Sequence, residues 1–206
     1  MRDLKLVARK KRKYKITTQS KHGYELAPNL LDRQFNVEQP ATVWVSDITY
    51  IRIANKRAYF TVVIDLADRY VVGWSLSNDM TTEHTVIKAF KKACSNRKPS
   101  DGLIFHSDRG VQYACNEFKA MQNSSNMKQS MSAKGDCWDN AVAESFFKTI
   151  KVEELYNYSF AYLKEAYSVI FNYIDGWYNT VRLHSTLKGK SPLLAFKIKS
   201  NYLYAA

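Results

Sequence analysis

Three acids in this chain stand at places that could serve chemistry, one inside a strand, one just past a strand and one inside a helix. Asp47 lies in the middle of Val43-Trp44-Val45-Ser46-Asp47-Ile48-Thr49-Tyr50-Ile51-Arg52-Ile53, a run rich in β-branched and aromatic residues, although aspartate is depleted in strands. A carboxylate there costs stability unless hydrogen bonds or a metal compensate it. Asp108 follows the short apolar run Leu103-Ile104-Phe105 within His106-Ser107-Asp108-Arg109-Gly110, and Glu144 sits inside Asn140 to Lys151. Clustered carboxylates without neighbouring Cys or His suit hard, oxygen-seeking cations, Mg²⁺ or Mn²⁺. Two such ions about 3.5–4 Å apart can activate an attacking oxygen and stabilise the leaving oxygen of an in-line phosphoryl displacement. Asp65, ending a second strand, is the rival third ligand, but Asp65-Leu66-Ala67-Asp68-Arg69 also reads as an ordinary turn. His106 and His184 are accessories at most, since neither lies in an H-E-x-x-H pattern.

The elements that must position these acids can be read from hydrophobic period. Val43 to Ile53, Ala58 to Asp65 and Tyr70 to Leu76 are strands with short connections, most simply an antiparallel meander. At Thr81 to Cys94 the period changes from two to 3.6, with Val86, Ile87, Phe90 and Ala93 at helical spacing. A strand at Leu103 to Phe105, a helix near Asn116 to Asn123 and an extended piece around Met127 to Met131 follow. The order β-β-β-α-β-α-β-α describes an α/β protein with a mixed sheet and helices packed on it. In the Glu144 helix, Asn140, Lys148 and Lys151 fall within about 40° of Glu144, while Val142, Ala143, Phe146 and Ile150 gather opposite. Taken alone, that helix could be a surface element with a Glu144–Lys148 pair. A longer helix from Phe160 to roughly Tyr178 is expected to bury Phe160, Leu163, Tyr167, Ile170, Phe171 and Ile174. Without an ion the three acids repel, so Glu144 is expected to turn away from the other two, or its loop, Ser132 to Asp139, to be disordered.

Charge points to a polyanion. The net charge is +12 over 206 residues, and residues 1–21 alone hold nine Lys/Arg against Asp3. Arg9-Lys10-Lys11-Arg12-Lys13 is the densest part of this arm, an electrostatic footprint that suits nucleic acid unless it is only a solvated tail. Ser20 to Pro40 reads as an irregular connector broken by Gly23, Pro28 and Pro40. The expected division is therefore 1–40 as arm and connector and 41–206 as the folded core. Cys94, Cys115 and Cys137 are odd in number and lack metal-ligand spacing, so they read as small residues in a reducing compartment. No apolar run approaches the roughly 20 residues of a membrane span, and the basic start is not followed by an apolar stretch. The expectation is a cytoplasmic protein of bacterial type.

At its acids the chain resembles a known family. Asp47, Asp108 and Glu144, with 35 residues between the last two and Lys151 seven after Glu144, look like the DDE motif and trailing base of retroviral-integrase-type transposases. More narrowly, His106-Ser107-Asp108-Arg109-Gly110-Val111-Gln112-Tyr113 and Met131-Ser132-Ala133-Lys134-Gly135-Asp136-Cys137-Trp138-Asp139-Asn140-Ala141, running into Glu144-Ser145-Phe146-Phe147, are similar to the second-frame product of IS-three-type insertion sequences. Tyr178-Asn179-Thr180-Val181-Arg182-Leu183-His184-Ser185 and Ser191-Pro192 fit the same group. The resemblance implies an RNase H-like fold and a transesterase that hydrolyses DNA at an element's end and joins the freed 3′-OH to a target phosphodiester. No covalent protein–DNA intermediate is implied. Asp47, Asp108 and Glu144 would be the metal ligands for Mg²⁺ or Mn²⁺, in a pair of ions. Lys151 would contact DNA near the element's end, with Asn140 and Lys148 on the same helix face and Arg9 to Lys13 on the arm as further DNA contacts.

Members of that group carry more chain, including a helical segment, before the equivalent of Arg9 to Lys13, whereas Met1 here stands close to the arm. The resemblance thus implies chemistry in this chain, end recognition with a helix-turn-helix protein from the first frame, homo-oligomers on DNA, and association with the nucleoid when bound. A plain RNase H-like nuclease that does not join strands, and a DNA-binding remnant without chemistry, are the competing classes. The arm carries no motif for reading bases, so its contribution should be phosphate contact that weakens as salt rises. Deleting residues 1–21 is expected to weaken DNA binding at low salt and flatten its salt dependence while the domain stays folded. A salt titration of affinity checks this; an unchanged slope would make the arm a solvated tail.

Overall fold

In the computed structural model, residues 22–204 are described, so the arm from Arg9 to Lys13 lies outside the described residues. The β-branched runs form β1 (Val43–Ile53), β2 (Lys56–Asp65) and β3 (Val71–Ser77), followed by β4 (Ile104–Ser107) and β5 (Lys128–Met131). They make one sheet in the order β3-β2-β1-β4-β5. The first three strands are the expected antiparallel meander, while β4 runs parallel to both β1 and β5.

Both faces of this sheet are covered, which explains why β3 is buried along its whole length. Alternate residues divide between two cores. Val45, Ile51, Val62 and Ile64 face α4 (Ala141–Glu153) and α5 (Leu163–Phe171), while Trp44, Val63 and Val72 face α1 (Lys88–Asn96), α2 (Val111–Ala114) and α3 (Asn116–Ser124). A final helix, α6 (Pro192–Tyr204), closes the described chain.

The long helix expected from Phe160 begins at Leu163, and Phe160 instead bridges to Ile53 at the end of β1. Beyond Phe171 the turns widen to π spacing over Asn172–Tyr178. The buried face runs through Ala166 and Ile170 of α5 and on through Tyr173, Ile174 and Tyr178. Tyr167 and Phe171, expected inside, are carried round to the flank and are 44% and 46% exposed. Tyr167 still rests on Trp74, with ring centroids 4.9 Å apart.

The connector is irregular, as expected, yet it is packed against the core. Leu31 is buried, the Leu30 and Leu31 amides donate to Ser130 Oγ at 2.9 and 3.3 Å, and Met131 N donates to Pro28 O. The edge of β5 is thereby partly covered, and the loop leading to α4 acquires a neighbour.

One glycine sets how closely a helix approaches the sheet. A Cβ built on Gly73 in β3 would lie 2.3 Å from Ala89 O and 2.7 Å from Ala93 N, both backbone atoms of α1. Since backbone cannot move aside as a flexible side chain can, Gly73→Ala is expected to push α1 off β3 and lower stability by about 1–3 kcal/mol. Thermal melts of Gly73→Ala and of Gly23→Ala, whose Cβ would meet nothing within 4 Å, compare the two. Equal melting temperatures would refute the close approach.

Candidate active site

The site is built where two parallel strands part. β1 and β4 pair at Val43–Ile104, Trp44–Phe105 and Val45–His106. Past this point β4 continues with β5, through Ser107–Met131, while β1 stays with β2. Asp47 and Asp108 each lie two residues beyond the last β1–β4 pair. Two residues along a strand restore the same face, so Asp47 shares the face of Val45, which is the α4 face. Thr49, two further on, accepts a hydrogen bond from Lys151 Nζ of α4, so that helix lies along the same side of β1.

Local bonds hold the acids in place. Asp47 Oδ1 accepts from Ile48 N at 2.8 Å. Asp108 Oδ1 accepts from Gly110 N at 2.9 Å, an Asx-type turn that ends β4 and leads into α2. Burial pushes the Asp47 carboxyl well above the usual range, the Asp108 charge adds to the shift, and Glu144 contributes less. The Ile48 N–H and the Lys151 charge act in the opposite direction. Glu144 is exposed on the first turn of α4, its carboxyl raised by partial burial. Burial lowers Lys151 while Asp47 opposes the shift. Among the described residues, no three His, Cys, Asp or Glu side chains already share one coordination sphere. The donor set nevertheless fits a hard cation. All three candidate ligands are carboxylates, and the mutual cost of charge on Asp47 and Asp108 is what a divalent ion would relieve in place of a proton.

The other residues singled out from sequence fall into different roles. Asn140 is 4% exposed, and its Nδ2 donates to Ser46 O at 3.0 Å, a carbonyl just past the last β1–β4 pair. It therefore binds the start of α4 to the strand that carries Asp47. Lys148 is exposed on α4. Asp65 is fully buried, with Oδ2 accepting from Ala41 N (2.6 Å), Trp44 Nε1 (3.1 Å) and Arg97 Nη1 (2.7 Å), and Oδ1 accepting from Ala67 N (3.0 Å). Arg97 Nη1 also bonds Asp68, so this acid belongs to a buried network that ties the start of β1 to the end of β2. His106 is fully buried, with Nδ1 2.8 Å from Ser130 Oγ and Nε2 3.2 Å from Ser132 Oγ. Burial lowers its pKa to about 4, so a neutral ring joins β4 to β5 and to the loop beyond. His184 packs edge-on against Tyr178 at 4.9 Å, in the loop that leads to α6.

Sequence reading missed the brace behind Glu144. The loop Ser132 to Asp139 is held by the connector: Arg33 Nε donates to Asp139 Oδ1 at 2.7 Å, and the Arg33 Nη2 group pairs with Asp136. Asp139 Oδ2 takes Ala133 N at 2.7 Å and Asn29 Nδ2 at 3.1 Å. Burial opposes charge on Asp139, but the Ala133 N–H and Arg33 outweigh it and hold the carboxyl below its usual range. Arg109 Nε grips Ser132 O at 2.6 Å from the other side. Nothing in a linear reading joins Asn29 and Arg33 to Asp139, more than a hundred residues away.

Comparison with known proteins gives the family and the fold. Two family models, each described as an integrase core domain, match residues 37–137 and 125–192. A 31 kDa protein of insertion element IS600 from Shigella sonnei is 41% identical over 99% of this chain and 74% of its own length. The transposase InsF of insertion sequence IS3A from Escherichia coli is 40% identical over 91% and 65%. The transposase of IS904 from Lactococcus lactis is 39% identical over 87% and 71%. The chain thus spans about two thirds to three quarters of these relatives. Among solved structures, the catalytic core of HTLV-2 integrase in complex with magnesium superposes with a TM-score of 0.58 at 20% identity, covering 77% of this chain and 97% of that one. A simian T-cell lymphotropic virus intasome chain gives 0.66 at 15%, covering 84% and 59%. These likenesses identify the fold as RNase H-like. With its sheet order, its paired carboxylates and these relatives, the chain belongs to the integrase core family of DDE polynucleotidyl transferases, among the transposases of IS3-type insertion sequences.

Proposed function

We propose that this chain is the catalytic part of a transposase that cuts DNA at the ends of its insertion sequence and joins the freed 3′-OH to target DNA. Asp47, Asp108 and Glu144 hold the ions, Mg²⁺ or Mn²⁺, in a pair. The observation that carries this reading is the position of Asp47 and Asp108 at equal distances past the parting of β1 and β4, with the helix that bears Glu144 lying along the face of β1 that carries Asp47. When bound, the ions supply an activated attacking oxygen and charge stabilisation for the leaving oxygen. The chain's own part is to fix geometry. Asp47 is immobilised mid-strand, Asp108 is locked by its turn, and Glu144, exposed on a braced helix, swings in to complete the set. Lys151, beside Asp47 and Thr49, holds a DNA phosphate next to the reacting centre, with Lys148 one turn earlier as a further contact. Asn140 acts on the same step by holding α4 to β1.

The catalytic core in this reading is 41–206, with residues 1–40 as a phosphate-binding arm and a connector that braces the loop before Glu144. The magnesium-bound HTLV-2 core supports the choice of cation. The intasome likeness supports action as an oligomer on DNA, and a helix-turn-helix protein from the first frame would supply end recognition. None of the described helices is long and apolar enough to cross a membrane, and the bacterial relatives support work in the cytoplasm, at the nucleoid.

Asp108→Asn keeps shape and removes the charge that holds a cation. Since loss of even an outer-shell partner of a metal typically costs 10–100-fold, cleavage and joining should both fall by more than about a hundred-fold while DNA binding persists. Gel assays with labelled element ends and Mg²⁺, scoring hydrolysis and joining separately, measure this; near-normal turnover would end the metal reading. In the same assay Lys151→Ala should lower joining more than affinity.

A further inference from the structure

Of the four tryptophans, Trp44 and Trp74 are buried and Trp177 is 40% exposed, but Trp138 is 68% exposed. It stands on a 3₁₀ turn, Cys137–Asn140, that leads directly into α4. The turn that carries it is tied through its neighbours: Asp136 and Asp139 by Arg33, Asp139 also by Ala133 N, and Asn140 by Ser46 O. A large apolar ring has thus been left in solvent by a turn that is clamped on both sides. Resting on the transposase reading above, we infer that Trp138 is a stacking platform for an unpaired DNA base beside the reacting phosphodiester.

Distance and charge support this occupant. Six residues separate Trp138 from Glu144. At about 1.5–2.0 Å rise per residue, their α-carbons lie about 9–12 Å apart along the turn and helix. Stacked bases follow one another at about 3.4 Å, so the ring would meet a base roughly three positions from the phosphate at the acids. Arg33 pairs with both acids of the loop and, together with the exposed Lys134, balances their two charges, so the loop sets no net negative charge against a phosphate. The turn that carries the indole is tied down by its neighbours, and a π-face accepts any base, so the contact should be tolerant of sequence. It would favour strands opened at the cleavage site over intact duplex.

The test is binding by the full chain, without divalent metal, to two duplexes that differ only in whether the last three base pairs are matched or mismatched. A 2-aminopurine in the mismatched end reports stacking by quenching. Wild type is expected to prefer the mismatched end and to quench the probe; Trp138→Ala should lose about ten-fold in affinity for that end, together with the quenching. Trp138→Phe should retain most of both. Equal preference and quenching in wild type and Trp138→Ala would overturn the inference while leaving the transposase reading standing. If wild type bound neither duplex, both would fall. Asp108→Asn, which disables chemistry, should behave as wild type here, separating stacking from catalysis.

Discussion

The pairing of β1 with β4 runs only from Val43–Ile104 to Val45–His106 and then stops, because β4 turns its remaining bonds to β5 while β1 keeps those to β2. Two strand ends that part in this way leave a notch whose walls are backbone, and so are stiff. Ser46 marks its floor: its hydroxyl donates to Val62 O at 2.7 Å and meets the Tyr113 hydroxyl at 2.8 Å from one side of the sheet, while its carbonyl takes Asn140 from the other. Asp47 and Asp108 stand on either lip. Their mutual repulsion in a partly buried notch costs stability in the free chain and, in the proposed site, would be relieved by a cation between them. The strain is local, and the two apolar cores on either face of the sheet hold it in place.

In the proposed site Glu144 comes from a different element, and that makes it the adjustable member. Its helix is fixed by apolar contacts of Ala143, Phe146, Phe147 and Ile150 with the sheet, by Asn140 at one end and by Lys151 further along. The carboxylate itself is exposed, so it can turn without moving backbone. Such a division between two rigid candidate ligands and one mobile one would let the proposed site bind an ion without rearranging its core.

The loop before this helix has the opposite character. An unsupported loop of this length would sample many states. Here the connector lends Arg33 and Asn29, and the neutral, buried His106 joins Ser130 to Ser132 beneath it. The irregular segment between arm and core is therefore part of how the site is held, although it supplies no ligand.

The sequence by itself determined the order of elements, the meander, the mixed sheet and the family, because hydrophobic period and motif spacing are local properties of the chain. It also singled out Asp47, since a carboxylate in a strand of β-branched residues conflicts with local preference, and such conflicts are visible without coordinates. Only the tertiary structure decided which acids share a neighbourhood. Asp65 looked equivalent to Asp108 along the chain, each ending a strand, yet it pairs with Trp44, three positions before Asp47, where Arg97 and Trp44 enclose it. Asn140 and Lys148 share a helix face by periodicity, yet one is buried against Ser46 and the other open to solvent. Tyr167 and Phe171 fit a 3.6 period, but α5 turns its Ala166 and Ile170 face to the core and leaves those two rings on its flank. The brace from Arg33 to Asp139 spans 106 residues. Contacts over that separation arise from chain topology, and no periodicity within either segment encodes them.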